Sequence, residues 1–200
     1  MRGVTVKWAF ASFTKGKNLM RALSFFCLSL LLAALPGCTG DAARKAAQAE
    51  QTKAPRNVAL RLHAAPKLNV DARGRPLAVV ARVYTLRQNA AFDAAPYATF
   101  LTPGRDREAF GADLLEAKDV TLVPGQRYDT VEKLPREAAY VGIVALFHSP
   151  APQRWRMSFA AAEAESAGVN VALQACALSS GAGAKPSVAG GMTTGSARCQ

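Results

Sequence analysis

Only two histidines, His63 and His148, supply imidazole chemistry to this 200-residue chain. His148 precedes Ser149, so a nucleophile and a base adjoin in sequence. A Ser-His-acid set also needs a carboxylate brought in from a distance, and nothing in the spacing selects one. A histidine at a strand end is ordinarily solvent-facing or satisfied by a neighbour. No His-x-x-x-His or Cys-x-x-Cys pair has metal-ligand spacing, and no G-x-S-x-G elbow or phosphate-binding glycine loop occurs. Asp113 and Glu116 lie close together, but in a charged segment with Lys118 and Asp119, the pattern of a solvated face. Tyr140, Phe147, Trp155 and Phe159 read as core rather than as a ligand platform. The expectation is a protein without catalytic residues, metal or cofactor.

One residue does sit in a reactive context. In LLLAALPGCTGD, residues 30–41, an apolar run ends at Cys38 and the chain turns polar at once. Lys15, Lys17 and Arg21 precede the run, no acid occurs before Asp41, and the run is shorter than the ~20 apolar residues of a membrane span. Basic, apolar and small-residue regions in that order describe a secretory signal. Leu35-Pro36-Gly37-Cys38 resembles the lipobox of bacterial lipoproteins. A thiolate is required there to take a diacylglyceryl group as a thioether, and Gly37 leaves room for cleavage just before it. Residues 1–37 are therefore read as a signal peptide, with Met20 as an alternative start, and Cys38 as the lipidated first residue.

Removing residues 1–37 from the 200 leaves 163, enough for one domain. Five of the 25 basic residues go with the signal, leaving 20 against 14 acids, a net charge of +6 rather than +11. Such a balance favours an acidic partner or a membrane surface. No basic run interleaved with aromatics points to nucleic acid. Beyond Cys38 the cysteines are Cys176 and Cys199, an even number suited to an oxidising compartment. A bridge between them and two unpaired thiols remain equal alternatives at this stage.

The elements that would carry these residues are mostly strands. Residues 38–56 are polar and Ala-rich and read as a tether. In NVALRLHA, residues 57–64, Val58, Leu60 and Leu62 alternate with Ala59, Arg61 and His63, the period of a half-buried strand. A Pro/Gly/Asn/Asp-rich loop over 65–76 leads to a second strand at 77–86. Phe92, Tyr97, Phe100 and Leu101 then stand at mixed helical spacing broken by Pro96, and 107–117 carries another helical turn. Residues 118–135 form a hairpin about Pro124-Gly125. Strands follow at 139–148, the most apolar and so central, at 153–161 and at 168–178. About seven strands with one short helical insertion predict an all-β, two-layer sandwich over 57–178. The Gly/Ser-rich residues 179–200 are expected to be disordered.

LNVDARGRPLAVVARVYTL (68–86), followed by AAFDAAPYATFL (90–101), resembles the TssJ outer-membrane lipoproteins of type VI secretion systems. There L-N-x-D-x-x-G-R-P precedes an apolar strand with R-x-Y-x-L and then an A-F-x-x-A segment. FGADLLEAKDVTLVPGQ (110–126) and AAYVGIVALFHSPAPQRWR (138–156) continue the likeness, and the lipobox belongs to it. The resemblance implies a transthyretin-like β-sandwich and a structural, non-enzymatic role: an outer-membrane lipoprotein facing the periplasm. It would bind the periplasmic domain of TssM, and through it TssL, in the membrane complex on which a contractile injection machine docks. It further implies that the loop between the first two strands touches TssM, which makes Asn69, Asp71, Arg73, Gly74 and Arg75 partner-binding candidates. The same residues are also ordinary turn-formers: Asn69 and Asp71 bond local backbone, and Gly74 supplies a positive φ. The alternative reading is a periplasmic lipoprotein sandwich that binds a small ligand or another envelope protein.

Overall fold

The computed structural model describes residues 44–45, 54–187 and 199. Contacts divide the chain into Met1–Ala46 and Ala47–Gln200. The first unit is described only at Arg44 and Lys45, whose backbone is helical. Cys38, the signal segment and most of the 38–56 tether lie outside the described residues. Among the described residues no helix is long and apolar enough to cross a membrane.

The second unit is a four-on-four β-sandwich. In chain order its strands are β1 (Arg56–Ala64), β2 (Val79–Leu86), β3 (Leu114–Leu122), β4 (Arg127–Leu134), β5 (Tyr140–Ala145), β6 (Arg156–Ala160), β7 (Val169–Leu173) and β8 (Leu178–Ser180). One sheet has the order β4-β1-β7-β8, with β1 and β7 parallel; the other is the antiparallel sheet β3-β2-β5-β6. Alternation explains the layer between them. Val58, Leu60 and Leu62 of β1, Val169, Val171 and Leu173 of β7, and Val83, Ile143, Met157 and Phe159 of the second sheet are all buried.

Among the described residues of this unit there are four α-helices: α1 (Ala90–Ala94), α2 (Ala98–Leu101), α3 (Arg105–Phe110) and α4 (Ala161–Ala167). The first three lie on the outer face of the second sheet, where Tyr84 packs edge-on against Phe92, Phe100 and Phe110. This covering explains why β5 is buried on both faces and reads as a continuous apolar run. Polar contacts fix the cover. Arg82 forms ion pairs with Asp119 and Asp106, and the Tyr84 hydroxyl donates to Asp106 at 2.8 Å. Burial, reinforced by that bond, pushes the Tyr84 phenol pKa upward. Arg156 donates to the carbonyls of Phe92, within α1, and Ala95, just past its end, and stacks on Trp155. Burial lowers the Arg156 pKa, an effect the nearby Asp93 opposes.

Several sequence expectations need correction. The sandwich has eight strands, because the run 168–178 splits into β7, a turn at 174–177 and β8. The tail is not disordered from residue 179: Ser179 and Ser180 belong to β8, Ala184 N–H donates to Gly168 O, and Ser187 N–H donates to Ser158 O. Pro186 also bridges to Phe159, so residues 181–187 cross from one sheet to the edge of the other. Helix α4 was not anticipated, since AAEAESA has no apolar stripe; it is held by Glu165, which pairs with Arg56 and Arg136. β3 begins at Leu114 rather than Lys118, and β1 one residue earlier than expected. Trp155, expected in the core, is buried against Tyr97 and Phe100 of the helical cover rather than between the sheets.

Candidate functional site

Strand directions give the sandwich two unlike ends. At one end β1 enters at Arg56, and α4 and the β4–β5 turn lie beside it. At the other stand the β1–β2 loop (65–78), the β3–β4 turn (123–126), the β5–β6 loop (146–155) and the β7–β8 turn. A nine-residue strand separates the two ends, roughly 30 Å at the rise of a β-strand.

The candidate residues lie in the β1–β2 loop, and backbone bonds hold its first half down. Ala65 N–H donates to Leu173 O at 2.8 Å, Asn69 N–H to Gln174 O at 3.2 Å and Val70 N–H to Ala175 O at 3.0 Å. Leu68 is fully buried beneath it, and Leu77 N–H closes the base by donating to Leu68 O at 3.0 Å. The tip is a tight turn in which Gly74 N–H donates to Asp71 O at 2.9 Å and Asp71 N–H to Arg75 O at 3.0 Å. Gly74 has φ +73°, the left-handed geometry such a hairpin loop needs at this position.

The five candidates divide by role. Asn69 is buried, 5% exposed, at φ 43°; its amide donates to Ala78 O at 2.7 Å and its Oδ1 accepts the His148 N–H at 2.6 Å. It ties two loops together and has no free group to offer outward. Asp71 Oδ1 accepts from the Arg73 and Arg75 backbone at 2.8 and 2.9 Å, and Oδ2 accepts from Arg75 Nε at 2.8 Å. Those bonds, from Arg75 first, hold the Asp71 carboxyl below its ordinary pKa. Arg73, Gly74 and Arg75 are exposed at the tip.

The surroundings of the tip were not legible from the loop's own sequence. Gly125 N–H donates to Ala65 O, so the β3–β4 turn, with Val123 52% exposed, flanks the loop. Lys67 is exposed as well, and the only carboxylate of the loop is already engaged by Arg75. This end therefore offers cations, prolines and one apolar side chain. Cys176, in the adjoining β7–β8 turn, is bonded to Cys199 with a Cα separation of 5.5 Å. Among the described residues no group of His, Cys, Asp and Glu could hold a metal ion. His63 lies on β1 and His148 in the β5–β6 loop, both at this end, and His148 is exposed.

The T6SS-SciN family profile, described as type VI secretion lipoprotein, VasD, EvfM, TssJ, matches residues 56–176. The chain belongs to the TssJ family. Its match begins at the first residue of β1 and ends within the β7–β8 turn. The crystal structure of the type VI secretion lipoprotein TssJ1 from Pseudomonas aeruginosa is 27% identical, with TM-score 0.57, covering 67% of this chain and 99% of that one. A chain of a structure titled "Type VI membrane complex" is 29% identical, with TM-score 0.57, covering 62% and 96%. A chain of a structure titled "T6SS protein TssM C-terminal domain (869-1107) from EAEC" is 28% identical, with TM-score 0.53, covering 62% and 96%. No curated protein matches the chain by sequence. As a TssJ-family member it is a type VI secretion lipoprotein associated with the cell envelope.

Proposed function

We propose that this protein is a structural lipoprotein of the outer membrane, facing the periplasm. Acyl chains on Cys38 hold it there, and its β1–β2 loop grips the periplasmic domain of TssM, which connects it to TssL. In that role it helps dock the contractile injection machine and catalyses nothing. The observation that carries the reading is polarity: β1 enters at one end of the sandwich, while Arg73, Gly74 and Arg75 project from the other on a frame anchored by Asn69. A rigid cationic tip suits an acidic partner, since preorganised charge raises the encounter rate and fixes orientation. Likeness to chains from structures titled for the type VI membrane complex and the TssM C-terminal domain supports the partner.

The physical logic is anchorage plus local concentration. One acyl chain holds a protein to a bilayer only marginally, whereas several do so stably. A flexible tether then turns partner capture into an encounter within a small volume. Thr39 follows the cysteine in place of the Asp associated with inner-membrane retention, which fits outer-membrane sorting. In the test, Cys38→Ser leaves the sandwich folded but releases it from outer-membrane fractions and stops secretion. Arg73→Glu with Arg75→Glu keeps membrane attachment and loses pull-down of a periplasmic TssM fragment. Unchanged pull-down by the double variant removes the loop from the interface.

A further inference from the structure

The two sides of the sandwich are finished differently. On one side residues 181–187 run on from the short β8 and cover the edge of β6. On the other side β4 is an eight-residue edge strand with no strand beyond it among the described residues, and Val131 at its middle is 59% exposed. The hydrogen-bond phase of β4 follows from its neighbours. Ala64 N–H donates to Gln126 O, in the register that pairs His63 with Arg127, so even-numbered residues of β4 turn their backbone groups toward β1. Arg127, Asp129, Val131 and Lys133 therefore direct N–H and C=O toward the open edge, and all four side chains are exposed. Long edges of this kind template further strand pairing unless something blocks them.

We propose that β4 is a self-association edge, and that its occupant is β4 of a second copy of this chain, paired antiparallel about Val131. The charge order selects this register. With Val131 opposite Val131, Asp129 of each copy faces Lys133 of the other, and Arg127 faces Pro135, which has no N–H and ends the ladder. The pleat allows only registers that keep outward-facing groups opposite each other. Shifting by one residue toward the N-terminus sets Arg127 against Lys133, and a further step sets Asp129 against itself; both place like charges opposite. Neither Asp129 nor Lys133 takes part in an ion pair among the described residues, so both charges are available. On the inner side of the strand, Lys118 of β3 donates to Glu132 at 2.8 Å. The pairing sets the two sandwiches side by side, with their strand directions reversed. The stretch from Cys38 to Arg56, when extended, reaches roughly 60 Å, longer than the sandwich, so both lipids can enter one bilayer.

The test uses the full lipidated chain in membranes. In a hydrogen-bonded antiparallel pair the Cα atoms stand about 5.5 Å apart, within disulfide range. Val131→Cys should give a covalent dimer under mild oxidation, several-fold more than Leu101→Cys, an equally exposed control on the helical cover. Adding Lys133→Asp should abolish the cross-link by setting acids opposite acids, and adding Asp129→Lys to that should restore it. Cross-linking no greater than in the Leu101→Cys control, or loss with Lys133→Asp that Asp129→Lys fails to rescue, overturns the proposal. So does protection of β4 that needs another envelope protein. All these positions lie on the surface, so the variants fold, and the readout is independent of TssM binding.

Discussion

Gly142 lies directly beneath the ring of Phe92: a Cβ built at Gly142 would stand 2.7 Å from Phe92 Cζ and 2.9 Å from Cε2. The ring cannot retreat, because Tyr84 and Phe100 meet it edge-on and Phe110 packs against it at a tilt. Gly142→Ala should therefore cost about 1–3 kcal/mol by overpacking. Phe92→Leu in the same background should recover part of that loss. A double-mutant cycle in urea reads the coupling, and additive effects would show that the contact is relaxed by other means.

Asn69 joins the β1–β2 loop to the β5–β6 loop through its bonds to Ala78 O and from His148 N–H. Asn69→Ala leaves both backbone groups unpaired and puts a Cβ without a polar tip at positive φ. The expected loss is about 2–3 kcal/mol. Asn69→Gly removes the bonds but not the backbone freedom and should cost less. Both should weaken partner capture by loosening Arg73 and Arg75, which amide hydrogen exchange at the tip would detect.

Two aspartates give opposite pH responses. Burial raises Asp93 above 3.8, against the bond from Ser158 and the charge of Arg156. The folded form thus binds its proton more tightly than the unfolded chain does. Stability from Asp93 is present below 3.8 and is lost as pH rises through its folded value. Asp71 is lowered, so its contribution is present above 3.8 and is lost as pH falls through its folded value. Asp93→Asn should flatten the stability slope on the alkaline side of 3.8. The Arg73 and Arg75 amide shifts should titrate only below 3.8, as NMR would show.

Residues 181–187 contribute Ala184, 2% exposed, and the bonds to Gly168 and Ser158. Truncation after Ser180 removes Cys199 as well, and beyond the loss of that bridge it should cost about 2–4 kcal/mol and bare the β6 edge. Truncation after Ser187 spares those backbone bonds and removes the Cys176–Cys199 bridge. For a separation of 23 residues the chain-entropy contribution is up to about 3 kcal/mol. Thermal melts with and without reductant separate the two effects.

What could be read from the sequence alone was whatever repeats locally. Val58, Leu60 and Leu62 announce β1, the run 139–148 announces a central strand, and the turn chemistry of Asn69, Asp71 and Gly74 announces a loop. The lipobox at Cys38 and the ordered motifs from Leu68 onward carry the family likeness. Folding in three dimensions decided which faces were covered. Period-two alternation reports one buried side, but Ser158 is fully buried on the other, because α1 closes over it with Asn89 and Asp93. Tertiary structure also ordered residues 181–187, whose sequence bears no hydrophobic pattern and whose order comes from backbone bonds to distant carbonyls. Asn69 shows the same limit: a turn-former and an inter-loop lock look identical in one dimension, and only the arrival of His148 N–H, 79 residues away, separates them.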